Sequence, residues 1–200
     1  MHQMLVRRLS LLNSSLHTSA TGSSLRSLFK TMAFQYEYAR PAVTVDAALV
    51  LDTERPQILL IKRKNDPFAG SWALPGGFVD ENEPLEVAAA RELEEETSVS
   101  ASALQMPLRQ VETFGDPGRD PRGWTVTVCF ASVVNEAVKS LVKAADDAAE
   151  AQWFEVDKLP QMAFDHDVMV SKVVHAVKDW ETTPSHLSQA LERVVNNNNE

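Results

Sequence analysis

"GGFVDENEPLEVAAARELEEETSV", residues 76–99, decides how the rest of the chain is read. Two glycines open it. Pro84 suits the first position of a helix, with Glu83 as the cap before it, and "LEVAAARELEEE" is strong helix-forming sequence. At about 100° of turn per residue, Leu85, Ala89 and Leu93 fall on one stripe and Glu92, Glu95 and Glu96 on a second beside it. An ordinary surface helix sets its charges opposite its apolar face. Here three carboxylates border the packed face, so they are expected at the rim of a cleft, with Glu94 turned to solvent. Like charges at this spacing repel, and the end of a helix disfavours negative charge. Either water screens the cluster or a cation sits in it. Mg²⁺ takes hard oxygen ligands of this kind, together with waters and substrate phosphates. The pattern therefore points to metal-assisted hydrolysis at a phosphate, against the alternative of a solvated acidic helix. Gly76 and Gly77 let the backbone turn close to a ligand, and Arg91 is placed to pair with a carboxylate or brace the preceding loop.

Charge is unevenly distributed around this helix. Residues 1–36 hold Arg7, Arg8, Arg26 and Lys30 and no acid, whereas residues 37–200 carry −13, from 15 basic and 28 acidic side chains. An acidic body argues against nucleic-acid coating and suits a protein that gathers divalent cations. The first 36 residues, rich in Ser, Leu and Arg, with Leu5, Leu9, Leu12 and Leu16 at helical spacing, have the composition of a transit peptide. The alternative is a disordered tail. A mitochondrial destination is expected ahead of a plastid, and Met32 as an internal start would give a cytosolic form. No apolar run approaches the length of a membrane helix. Cys129, the single cysteine, is expected to be a small buried strand residue, and it excludes a thiolate zinc cluster.

Along the body, "AVTVDAALVL" and "QILLIKRK" read as paired strands joined by the turn "DTERP". "LRQVETF", "WTVTVCFASVV" and "AQWFEV" read as further strands, with the loop "GDPGRDPRG" between the first two. "FDHDVMVSKVVHAVKDW" reads as a helix by its apolar spacing at Val168, Val170, Val173, Val174 and Val177. Strands and helices alternate, yet several links are hairpin-short, which predicts a mixed sheet between helices. The organisation expected is residues 1–36 as an address or tail, 37–181 as the folded domain, and 182–200 as a short helix, with Leu187, Leu191 and Val194 on one face, followed by a disordered "NNNNE".

The spacing in the opening stretch resembles the Nudix box of the Nudix hydrolases. Five residues separate Gly77 from Glu83 and seven separate Glu83 from Arg91-Glu92-Leu93; Glu95-Glu96 and Val99 then follow in place. The departure is Ser98, where the family usually has the glycine that favours a left-handed helix end. "WALPGGFV", "TFGDPGRDPRGWTVTV", "DDAAEAQWFEVDKLP" and "AFDHDVMV" are similar to the subgroup of ADP-ribose pyrophosphatases and its ligand-sensing relatives. The resemblance implies an α/β class fold, the Nudix-type α/β/α sandwich with a mixed β-sheet, and Mg²⁺- or Mn²⁺-dependent cleavage of a nucleoside diphosphate linked to another group. It implies Glu92, Glu95 and Glu96 as metal ligands, Glu83 as a supporting acid and Arg91 as an orienting residue. The general base implied is Glu95 or an acid of "KAADDAAEAQW", namely Asp146, Asp147 or Glu150; a solvated acidic loop is the alternative there.

The implied substrate is a small nucleotide, ADP-ribose first, giving AMP and ribose 5-phosphate. NADH, nucleotide sugars and oxidised nucleotides are the alternatives. Against ADP-ribose, enzymes of this subgroup often have a proline shortly past the box, where this chain has Phe114 and only then Pro117. Arg119, Arg122, Arg63 and Lys64 are candidate phosphate contacts. Trp72 and Phe78 are expected in the core, leaving Trp124 to stack on a base. A non-catalytic sensor is the rival class. The intact glutamates and the scarcity of basic residues after Trp180 disfavour it, and neither nucleic acid nor membrane is an expected partner. A homodimer, common in the subgroup, is left open.

Overall fold

The computed structural model describes residues 36–144 and 148–197. The transit-peptide reading of the N-terminal stretch, and Asp146 and Asp147, lie outside these residues. The folded unit runs over Arg40–Glu200. Its elements are β1 (Ala42–Leu51), β2 (Gln57–Arg63), β3 (Trp72–Ala73), β4 (Gly76–Phe78), α1 (Leu85–Thr97), β5 (Arg109–Phe114), β6 (Thr125–Val134), the short α2 (Glu136–Lys139), β7 (Ala148–Glu155), α3 (His166–Lys178) and α4 (Ser185–Asn197).

The strands form one mixed sheet, as the short links imply. β1 runs parallel to β6 from Ala42↔Thr125 to Leu51↔Val134, while the other strand pairs are antiparallel. Alternation along β1 explains the layers. Ala47, Leu49 and Leu51 face a cluster that contains Leu93 of α1, whereas Ala48 and Val50 face one built from Met169, Val170 and Val173 of α3 and Leu187 and Leu191 of α4. Both faces of the sheet are therefore covered, which is the α/β/α sandwich. Cys129 is fully buried in β6.

One irregularity places the site. β1 meets β2 only at its end, Val50↔Ile58 and Leu51↔Gln57, and its earlier half pairs with β4 instead. The segment from Trp72 to Phe78 crosses between them. It pairs first with β2 at Ile61↔Ala73 and then with β1 at Val45↔Gly77. Pro75 sits at the crossing, and its carbonyl accepts the Ala47 N–H at 2.8 Å. The sheet is thus split beside Asp46, and α1 follows directly from the strand that spans the split.

Several local expectations change in detail. Pro84 is the residue before the helix, not its first, and no side chain caps that end. Glu83 does not cap because its carboxylate is held by Arg91 and by the Asp80 N–H. Val168 is half exposed, and Met169 takes the buried place on α3. Asn196 and Asn197 close α4 and are helical; residues 198–200 lie outside the described set.

Ser98 ends α1 in the left-handed conformation, with φ 62°, and its N–H donates to the Glu94 carbonyl at 2.9 Å. Left-handed backbone costs a residue with a Cβ about 1–2 kcal/mol, more than the roughly 0.4–1 kcal/mol that glycine's unfolded-state freedom would cost. Ser98→Gly is expected to raise the melting temperature by about 1–4 °C, measurable by calorimetry. A fall instead would mean that the serine hydroxyl, 3.4 Å from the Lys143 carbonyl, contributes more than the turn.

Candidate active site

α1 is seated by Ala88, Ala89 and Leu93, all without solvent exposure. That seating turns the second stripe into the split in the sheet. Glu96 is buried at 8 % exposure, Glu92 is half-buried, and Glu95 is exposed. The two glycines of β4 make room for them. A Cβ on Gly76 would lie 2.3 Å from the Val45 carbonyl oxygen, and one on Gly77 would lie 2.5 Å from Glu92 Oε1. No other residue type fits either position without displacing a strand or a glutamate. The Gly76 N–H also donates to Glu96 Oε2 at 3.0 Å.

Arg91 organises the remaining acids. It grips Glu83 with Nε and Nη2, both at 2.8 Å, and Nη1 donates to Glu92 at 2.7 Å and to Glu95 at 3.1 Å. Nη2 also reaches the Phe78 carbonyl at 3.1 Å, tying the helix to β4. The two sequence-based roles for Arg91, pairing and bracing, are both present. The Arg91 guanidinium, helped by the Asp80 N–H, pulls the Glu83 carboxyl down to about 2.

The electrostatics change towards the interior. Burial raises Glu92 above the usual carboxylate range despite Arg91. Burial pushes Glu96 up to about 8; the Gly76 N–H opposes this, while the charges of Glu92 and Asp46 add to it. An acid kept protonated chiefly by burial, and further by its acidic neighbours, marks a place short of positive charge. The cavity here, about 470 Å³, is walled by seven Asp or Glu and five Lys or Arg side chains, so it repels a pyrophosphate unless a cation enters with it. Carboxylate oxygens are the donors a hard divalent cation takes, and Glu92, Glu95 and Glu96 would hold it. Among the described residues no three such side chains already converge as a metal cage. The reason is visible: Glu92 and Glu95 both turn to Arg91 Nη1, so a cation must draw them from it.

The other sequence candidates divide. Arg63, Gly76, Gly77, Arg119 and Arg122 line the same cavity, whereas Glu83 stands behind Arg91 outside the lining. Arg119 is no phosphate contact in this arrangement. Its side chain is 6 % exposed and it clasps Asp165 at 2.6 and 2.9 Å, fastening the 115–123 loop to the start of α3. Arg63 braces its own loop through the Pro67 carbonyl at 2.9 Å. Arg122, more exposed, is paired with Asp120 at 2.7 Å. Glu150 lies on β7 against Lys62 at 3.0 Å and does not reach the cavity lining, whereas Glu95 does; Asp146 and Asp147, the other candidate bases, lie outside the described residues. Trp72 packs on Phe154 as a core residue, but Phe78 is 47 % exposed on the cavity wall, against expectation, because β4 carries no covering layer at that point. Trp124 is exposed and outside the lining.

Asp46 and His166 are among the cavity residues that were not foreseen. Asp46 is buried on β1, accepts the Thr127 hydroxyl at 2.5 Å, and has His166 Nε2 at 3.7 Å. His166 Nδ1 accepts the Leu74 N–H at 2.9 Å, so the neutral ring carries its proton on Nε2, facing Asp46. Burial lowers the His166 pKa, consistent with a neutral ring. A charged residue in the middle of the apolar run "AVTVDAALVL" was the signal for Asp46; His166 had none beyond its place before a helix.

The NUDIX domain family model matches residues 40–173, and the chain belongs to this family. With the box glutamates in place it is a Nudix hydrolase, and such enzymes generally use divalent metals. An ADP-ribose pyrophosphatase of Methanocaldococcus jannaschii is 41 % identical over 66 % of this chain and 73 % of its own length. The ADPR responsive transcriptional repressor NtrR of Acinetobacter baylyi is 37 % identical over 65 % of this chain, which spans only 52 % of that protein. Among solved structures, the NUDIX domain of Shewanella oneidensis NrtR complexed with ADP ribose superposes with a TM-score of 0.61 at 30 % identity, covering 78 % of this chain and 98 % of that one.

In metal-free protein the folded state holds the Glu96 proton up to about pH 8, while the unfolded chain releases it near 4.5. Folded chains therefore bind the extra proton across that window, and stability falls as pH rises through it, by at most about 1.4 kcal/mol per pH unit. Melting curves of chelated protein between these limits are expected to show the fall, and Glu96→Gln to flatten it. An equal slope in both proteins would contradict the assignment.

Proposed function

We propose that the chain hydrolyses ADP-ribose to AMP and ribose 5-phosphate with Mg²⁺ or Mn²⁺. The observation that carries this is the buried Glu96, with Glu92 and Asp46 beside it, on a cavity whose acidic side chains outnumber its basic ones. The similarity to an ADP-ribose pyrophosphatase supports the choice of substrate. A divalent cation, which Glu92, Glu95 and Glu96 would hold, would neutralise the pyrophosphate and lower the pKa of the attacking water. The water oxygen bonds to one phosphorus, the bridging P–O bond breaks, and Glu95 takes the proton from its exposed place at the cavity wall. Arg91 holds Glu83 and steadies α1 while it yields Glu92 and Glu95. Gly76 fixes Glu96 through its N–H.

Hydrolysis is tested on ADP-ribose, NADH, nucleotide sugars and oxidised dGTP, with and without Mg²⁺ or Mn²⁺. Metal-dependent release of AMP from ADP-ribose is expected. Glu95→Gln should lower kcat by about 10²-fold or more, and Glu96→Gln should abolish turnover. ADP-ribose bound but not cleaved would overturn the enzyme reading in favour of a sensor. We also propose that residues 1–36 direct import into mitochondria. A fluorescent fusion of that stretch should enter them, and a diffuse cytosolic signal would contradict this.

A further inference from the structure

The cavity that holds the acid cluster also has an aromatic wall. Phe164, in the turn just before α3, lines the cavity with Phe78. Its ring is backed by Phe68 in an edge contact at 4.8 Å and stands 5.6 Å from the His166 ring, which faces Asp46 beside the glutamates. Both Phe68 and Phe164 hold left-handed backbone, φ 64° and 51°, a conformation that bulky residues seldom adopt. The fold keeps them there. The Ala163 N–H donates to the Trp72 carbonyl at 2.7 Å and the His166 N–H to the Ala163 carbonyl at 3.2 Å, which pins the Phe164 turn from both sides. Arg63, through the Pro67 carbonyl, pins the loop that carries Phe68.

Two flat cations already lie against this ledge. The Arg63 guanidinium is 4.9 Å from the Phe164 ring centre, and that of Arg122 is 5.5 Å from Phe164 and 5.1 Å from Phe78. Arg122, 42 % exposed and tied to Asp120, is the more open of the two to solvent. A planar group thus lies near two phenyl rings in the cavity that the glutamates also line. Rings and guanidinium planes in this array are what a nucleobase stacks on.

We propose that Phe164 is the platform for the nucleobase of the substrate, with Arg122 and Phe78 closing over it. This rests on the nucleoside diphosphate reading of the same cavity. It assigns the two parts of the wall separate tasks: the glutamates, through the cation they would hold, serve the pyrophosphate, and the aromatic side chains select for a base. Phe164 sets specificity and takes no part in the bond cleavage.

Binding of AMP and of ribose 5-phosphate to the full chain is measured by calorimetry, for the wild type, Phe164→Leu and Phe164→Trp. Proton spectra of AMP are recorded alongside. In the wild type the adenine protons should shift upfield in the ring current of Phe164. Phe164→Leu should lose that shift and weaken AMP at least tenfold more than ribose 5-phosphate, and Phe164→Trp should restore both. Equal weakening of the two ligands, or AMP affinity unchanged in Phe164→Leu, would overturn the proposal. The two readings fail separately. Turnover of ADP-ribose with AMP binding indifferent to Phe164 sinks the base platform alone. Phe164-dependent AMP binding without any turnover supports the platform and sinks the hydrolase reading.

Discussion

A single guanidinium holds the site in register. Arg91 ties Glu83 before α1, Glu92 and Glu95 on it, and the Phe78 carbonyl of β4. Without that hub, three carboxylates near one another at the end of a helix would repel both each other and the helix dipole. With it, α1 and β4 are tied together, and Glu96, which Arg91 does not reach, is left to the Gly76 N–H in the buried interior. The glycines complete the unit by allowing contact that no side chain permits: Gly76 approaches the Val45 carbonyl and Gly77 leaves space for the Glu92 carboxylate.

The split in the sheet gives this unit its depth. Because β1 exchanges β2 for β4 partway along, Asp46 from the strand layer and His166 from α3 come to the same cavity as the glutamates of α1. The site therefore draws on both helical layers. Arg119, clasped to Asp165, fastens the 115–123 loop over the same opening, so a residue expected to touch phosphate instead holds the wall on which Arg122 stands.

Helical periodicity carried most of the site, since stripe angles depend only on neighbours in the chain. The buried Leu93, the cleft-facing Glu92 and Glu96, and the exposed Glu94 all follow from a fixed turn per residue. The hairpin-short links likewise carried the mixed sheet. What was not legible depends on residues far apart in sequence. Asp46 meets His166 across 120 positions, and Arg119 meets Asp165 across 46. Nothing local to Arg119 distinguishes a loop strut from a phosphate ligand. Phe78 misleads in a similar way, because an apolar residue is assigned to a core unless the missing cover is known. Glu150 shared its composition with a candidate catalytic loop, but its place on β7 opposite Lys62 is set by strand register.

The central claim is that the glutamates of α1 are gathered to hold a divalent cation. Mn²⁺ binding followed by electron paramagnetic resonance, in the wild type, Glu92→Gln and Glu96→Gln with no nucleotide present, tests it most directly. The account predicts a stoichiometric site in the wild type that weakens at least tenfold in both variants. Equal Mn²⁺ affinity in all three proteins would contradict it.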